Sequence, residues 1–125
     1  MGNNEIHDDT TSILDQVVAA MQDKKAKEII SLDLSDIPTA VTRYFVICHG
    51  TSKTQVDAIY DNILEKVNNT CGIHPSHREG YENSEWILID YFDVVVHVFL
   101  EETRNFYSLE SLWADAKLTT YESDK

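Results

Sequence analysis

The sequence predicts an α/β fold: one domain, a mixed β-sheet of about five strands with helices packed on it. Three observations predict it. Two segments repeat apolar residues at helical spacing, and several shorter ones read as strands. The strand–helix–strand passage around residues 44–81 allows a parallel crossover. The length, 125 residues, is that of a single domain and buries enough surface to need neither metal nor disulfide.

In chain order, residues 1–9 are polar and are expected to form a flexible tail, with the folded domain over 10–117 and a second flexible tail over 118–125. Thr11 or Ser12 can cap a first helix, whose Ile13, Leu14, Val17, Val18 and Met21 share one face. Glu28 to Leu34 reads as a strand, ended by Asp36-Ile-Pro-Thr39, because Pro38 has no N–H for a ladder. Tyr44 to Cys48 is nearly all apolar, as an interior strand would be. Gly50 then permits a sharp turn, and Ser52 with Gln55 forms a capping box. Val56, Ile59, Tyr60, Ile63, Leu64 and Val67 follow at regular helical spacing, ended by Asn68, Asn69 and Gly72.

His77 to Tyr81 can form a short strand. Trp86–Asp90 and Val94–Leu100, joined around Tyr91-Phe-Asp93, read as a tight antiparallel hairpin. Ser108 can cap a last helix carrying Leu109, Leu112 and Trp113, with Leu112 and Trp113 expected in the core.

Composition excludes several function classes. The charge of −12 repels bare nucleic acid and anionic membranes, and favours a basic partner, which can itself sit on RNA. No apolar run approaches the ~20 residues of a membrane span. The first residues lack the basic and apolar regions of a signal peptide, and two cysteines fit reduced thiols, so a cytoplasmic location is expected.

Several constellations could carry chemistry. His49-Gly-Thr-Ser52 lies between strand and helix, where phosphate can bind. It has one glycine and no Gly-Lys-Ser/Thr, so turn-and-cap chemistry accounts for it. Asp90 and Asp93 could be a carboxylate pair for divalent metal in a nucleotidyltransferase-type site. Their spacing of three does not put both on one strand face. Cys71, His74 and His77 hold metal-ligand chemistry without a fourth partner, and Pro75 between the histidines marks a loop. His97 lies in an apolar strand with no nucleophile-elbow context, so a hydrogen-bonded strand histidine is expected. Trp86, Tyr91, Tyr107 and Trp113 are core or interface anchors. Alternation places Trp86, Leu88 and Asp90 on one face, with Ile87, Ile89 and Tyr91 on the other.

Together the segments YFVICHGTSKTQVDAI (44–59), EG (79–80), WILIDYFDVVVHVF (86–99) and RNFYSLESLWADA (104–116) resemble the ribosomal silencing factor, or Iojap, family. The resemblance spans Ile13 to Ala116. It implies a nucleotidyltransferase-like fold without a catalytic site, no cofactor, and a non-enzymatic translational repressor. Such a protein would bind the large ribosomal subunit through that subunit's ribosomal protein number fourteen, at the intersubunit face, and block joining of the small subunit. The family's contact positions correspond here to Trp86, Tyr91 and Tyr107. Charge adds Asp90 and Asp93 as acidic contacts to a basic ribosomal protein. No membrane and no sequence-specific nucleic acid is expected, and the free protein could form a homodimer through the same face. The alternative is a metal-dependent enzyme of nucleotidyltransferase type using Asp90, Asp93 and the Gly50–Ser52 turn. Two positions matter against the family's pattern: Tyr91 stands where an aliphatic residue or tyrosine is common, so it is expected to pack with a differing contact, and Phe92 stands where glycine is common. Glycine allows positive φ and phenylalanine disfavours it. The turn is therefore expected to differ in type, or Phe92 to add an exposed aromatic contact.

Overall fold

The structure, a computed structural model, describes residues 2–122. Its elements are α1 (Gly2–Asp23), β1 (Lys27–Asp33), β2 (Tyr44–Gly50), α2 (Lys53–Cys71), β3 (His77–Glu79), β4 (Trp86–Asp90), β5 (Val94–Leu100), α3 (Glu101–Tyr107), a 3-10 helix (Leu109–Trp113) and β6 (Lys117–Tyr121).

The capping box sets the start of α2. Ser52 Oγ accepts the Gln55 N–H at 3.1 Å, and Gln55 Oε1 accepts the Thr51 N–H at 2.8 Å. The same Gln55 amide donates to the carbonyls of Lys24 and Lys25, which ties the helix start to the end of α1. Gly72, at φ 69°, closes the helix by donating its N–H to the Asn68 carbonyl.

The strands lie in the order β3-β4-β5-β2-β1-β6. The central pair, β2 with β5, is parallel, and the other pairs are antiparallel. Chain leaving β2 crosses through α2, turns through β3 and β4, and enters β5 alongside its starting strand. α1 and α2 cover one face of the sheet. There Val17, Met21, Ile59 and Ile63 meet Val46, Cys48, Ile87, Ile89 and Val96, all fully buried. The opposite face holds a smaller core of Ile30, Leu32, Leu34, Ile47, Phe99 and Leu109, with Phe45, Trp86 and Trp113 half-buried against it.

The structure corrects four expectations. Residues 117–121 are a strand rather than the start of a tail: β6 pairs with β1 from Ile29–Tyr121 to Asp33–Lys117, so the sheet has six strands among the described residues. The outer edge of β1 was open, and the β-forming run Leu118-Thr-Thr-Tyr121 fills it, with the Tyr121 hydroxyl 2.9 Å from Ser31 Oγ. The remainder of that expected tail, residues 123–125, lies outside the described residues, as does Met1. The first helix starts at Gly2, not at a cap on Thr11 or Ser12. Glu101–Tyr107 forms its own helix, and Ser108, at φ 51°, is its C-terminal cap without a side-chain capping bond to the turn that follows. Leu112 is 74% exposed rather than core, because the following turn is 3-10 and its side chains fall at a tighter spacing.

A half-open aromatic face on β4 and α3

Period-two alternation aims Trp86, Leu88 and Asp90 of β4 at the face that α1 and α2 leave free. Among the described residues, α3, the 3-10 helix with Ala116 after it, and the 34–43 loop lie on that face. Trp86 therefore stays half-buried. Its ring centroid lies 4.9 Å from that of Phe99 and 4.9 Å from that of Tyr107, which is exposed. Beside it Glu79, Gly80, Trp86 and Leu88 line a recess of about 350 Å³. Gly80 is required there: at φ 82°, a Cβ on it would stand 2.0 Å from the Trp86 carbonyl oxygen.

His97 lies beneath this cluster and is 4% exposed. The Trp86 indole N–H donates to its Nδ1 at 3.0 Å. Phe45 packs edge-on to the imidazole, and Trp113 edge-on to Phe45. Burial pushes the His97 pKa down to about 4. It is thus a hydrogen-bonded strand histidine, as expected, and neither Asp90 nor Asp93 orients it.

Arg104, which the sequence reading passed over, fixes α3. It is 4% exposed. Its guanidinium donates to the Glu28 carbonyl at 2.8 Å, to Glu110 at 3.3 Å and to His49 Nδ1 at 3.0 Å. A register shift in β1 between Lys27 and Ile30 frees carbonyls from the ladder, and Arg104 satisfies them. Burial, and next the Arg104 charge, hold the His49 pKa below its ordinary value. The signal for Arg104 is a single cation between aromatic residues, which sequence cannot separate from an ordinary surface arginine.

The structure brings Trp86 and Tyr107 together and sets the other expected site residues apart. Tyr91 is 5% exposed and belongs to the core under α1 and α2. It is five residues beyond Trp86, so it points to the opposite face. Burial raises the pKa of its hydroxyl, which has no hydrogen-bond partner among the described residues. Asp90 shares the Trp86 face but sits roughly 13 Å farther along the strand, at the strand rise per residue. Its carboxylate accepts the Phe92 N–H at 2.7 Å. Asp93 is exposed at the turn, where its carboxylate accepts from Thr10 Oγ1 at 3.4 Å and its carbonyl from the Arg43 and Tyr44 N–H groups. The two carboxylates do not converge.

Phe92 takes the backbone conformation that glycine favours, at φ 83°, and is 81% exposed. Asp90 holds its N–H, and Thr42 Oγ1 donates to its carbonyl at 2.8 Å. The second alternative, an exposed aromatic side chain, is what the structure contains.

At the other constellations, Ser52 and Gln55 use the His49–Ser52 turn for capping. His77 Nε2 lies 2.5 Å from Glu79 rather than beside Cys71. Among the described residues no group of three or more His, Cys, Asp or Glu is placed to hold a metal ion. No described helix is long and apolar enough to cross a membrane.

Residues 7–125 match the family described as "Ribosomal silencing factor during starvation". The chain belongs to this family. The ribosomal silencing factor of Bacillus subtilis is 45% identical to it over 107 residues, 86% of this chain and 89% of that protein. Two crystal structures share its architecture. A Bacillus halodurans protein is 41% identical with a TM-score of 0.72, covering 90% of this chain and 98% of that one. A Chromobacterium violaceum protein is 36% identical with a TM-score of 0.78, covering 83% and 85%. In this silencing-factor family member the aromatic cluster on β4 and α3 is the half-exposed aromatic surface beside the recess.

Proposed function

We propose that the protein is a translational repressor of the ribosomal silencing class, acting in the cytoplasm without chemistry of its own. It docks on the large ribosomal subunit through ribosomal protein number fourteen of that subunit, at the intersubunit face. Once seated, it occupies the space the small subunit needs. The observation that carries this reading is the Trp86–Tyr107 pair, held half-open beside an apolar recess in a chain of this family. Interfaces concentrate their binding in such aromatic anchors. A charge of −12 suits a basic ribosomal protein, and Asp90 supplies a carboxylate on the same face. Tyr91 supports the surface from behind the sheet instead of touching the partner. The nucleotidyltransferase-like kinship belongs to this reading as inherited architecture. The enzyme alternative loses ground on geometry, because Asp90 caps the turn and Asp93 leans toward Thr10.

The test is co-sedimentation with separated ribosomal subunits. The protein should pellet with large subunits only, and it should lower formation of whole ribosomes when small subunits are added. Trp86→Ala should weaken pelleting by roughly thirtyfold or more, the equivalent of one anchor of ~2 kcal/mol. A folded Trp86→Ala that pellets like wild type overturns the assignment. The same face can pair two free copies. A light-scattering concentration series that remains monomeric throughout counts against that homodimer.

A further inference from the structure

We propose that His97 is a positioning residue for docking: its Nδ1 lone pair holds the Trp86 indole in the orientation the partner meets. This rests on the proposed docking role of Trp86 and adds the means by which the anchor is set.

An indole N–H can only donate, so His97 Nδ1, at 3.0 Å, must be the unprotonated nitrogen. The proton of the neutral ring then resides on Nε2. That atom is buried and has no hydrogen-bond partner among the described residues. A buried imidazole with one unpaired N–H is a poor choice for packing alone, since an apolar residue of like volume would leave nothing unsatisfied. The nitrogen that does have a partner is the one aimed at Trp86. Trp86 needs such a hold. It is half-buried, and its neighbour Tyr107 is exposed and sits on a short helix. Tilted ring contacts with Phe99 and Tyr107 are non-directional and do not by themselves fix which edge of the indole faces inward, whereas the bond to Nδ1 selects one orientation.

His97 is itself immobilised. Its neighbours on either side in the sheet are Leu88 of β4 and Ile47 of β2. Phe45 meets its ring edge-on at 4.9 Å between centroids, and Trp113 meets Phe45 at 5.7 Å. The 3-10 helix is thereby linked through two ring contacts and a hydrogen bond to the half-buried anchor. Pre-setting a side chain before association removes an ordering cost that binding would otherwise bear.

Two substitutions separate positioning from packing. His97→Leu fills the space and removes the acceptor. His97→Asn places an amide oxygen where Nδ1 stood. In the Trp113→Phe background, Trp86 contributes the single indole N–H signal, whose hydrogen exchange is followed by NMR. Exchange should be slow in the parent and in His97→Asn, and fast in His97→Leu. Binding to purified large subunits should weaken roughly tenfold in His97→Leu, the equivalent of one lost hydrogen bond's worth of orientation, and recover in His97→Asn. Equal binding and equal exchange in His97→Leu overturn the inference, as does failure of His97→Asn to restore either. If the parent protein does not bind large subunits at all, the docking role fails. The indole exchange pattern then decides separately whether His97 orients Trp86.

Discussion

The two faces of the sheet carry similar residues to different ends. On one, α1 and α2 bring enough apolar surface to seal the strands, so Ile87, Ile89 and Tyr91 of the hairpin disappear beneath them. On the other, a two-turn helix and a 3-10 turn cover only part of the sheet, leaving Trp86, Leu88 and Tyr107 in view. Trp86 and Tyr91 are large aromatic residues of one hairpin strand and its turn. What separates them is the parity of their positions and the length of helix that waits on each side. Stability should therefore reside in the sealed face, and association in the open one.

The largest expected effect tests that division directly. Tyr91→Ala should cost about 3–5 kcal/mol in urea unfolding, the range for emptying an aromatic site in a core. Tyr91→Phe should be nearly neutral and bind large subunits as wild type, because its hydroxyl has no partner to lose. Trp86→Ala should cost about 1–2 kcal/mol, since half of the ring's burial is absent from the start. Loss of binding in a stable Tyr91→Phe would show that the tyrosine hydroxyl reaches the partner and would dissolve the contrast.

Acid should act next. The His97 pKa falls from the ordinary 6.5 to about 4 on folding. Between those values the unfolded chain binds a proton that the folded one excludes. Stability present above pH about 6.5 is therefore lost as the pH falls toward about 4, by on the order of 3 kcal/mol from this group. His49 shifts in the same direction, through burial and then Arg104. Urea midpoints measured across this window should fall less steeply in His97→Asn than in wild type. Parallel curves would assign the acid sensitivity elsewhere.

The smallest effect concerns the turn between β4 and β5. Left-handed backbone costs a residue with a side chain about 1–2 kcal/mol. Glycine returns part of this through its freer unfolded chain. Phe92→Gly should thus gain about 0.5–1 kcal/mol in chemical denaturation. A destabilised Phe92→Gly would mean that the exposed ring makes contacts worth more than the strain of φ 83°.

Much of this was legible in the chain. Ser52 with Gln55, the apolar stripe from Val56 to Val67, and Gly72 define α2 with local chemistry alone. Alternation within Trp86–Asp90 already placed Trp86 and Tyr91 on opposite faces, and the structure puts them in the two separate cores. The β-forming run of β6 was also present, hidden by the assumption that polar ends are tails. Leu112 misled because a leucine near a chain end reads the same whether the turn that carries it is α or 3-10.

The sequence by itself determined α2, the interior strands, the hairpin and the family, because caps, periodicity and motifs act over a few residues. Only the tertiary structure decided which strands neighbour one another, that Arg104 is buried against the carbonyls of Lys27 and Glu28, and that His97 receives the Trp86 indole. The difference has a physical cause. Those contacts join residues from separate elements, and a side chain's partner is chosen by what the packed sheet and helices place beside it.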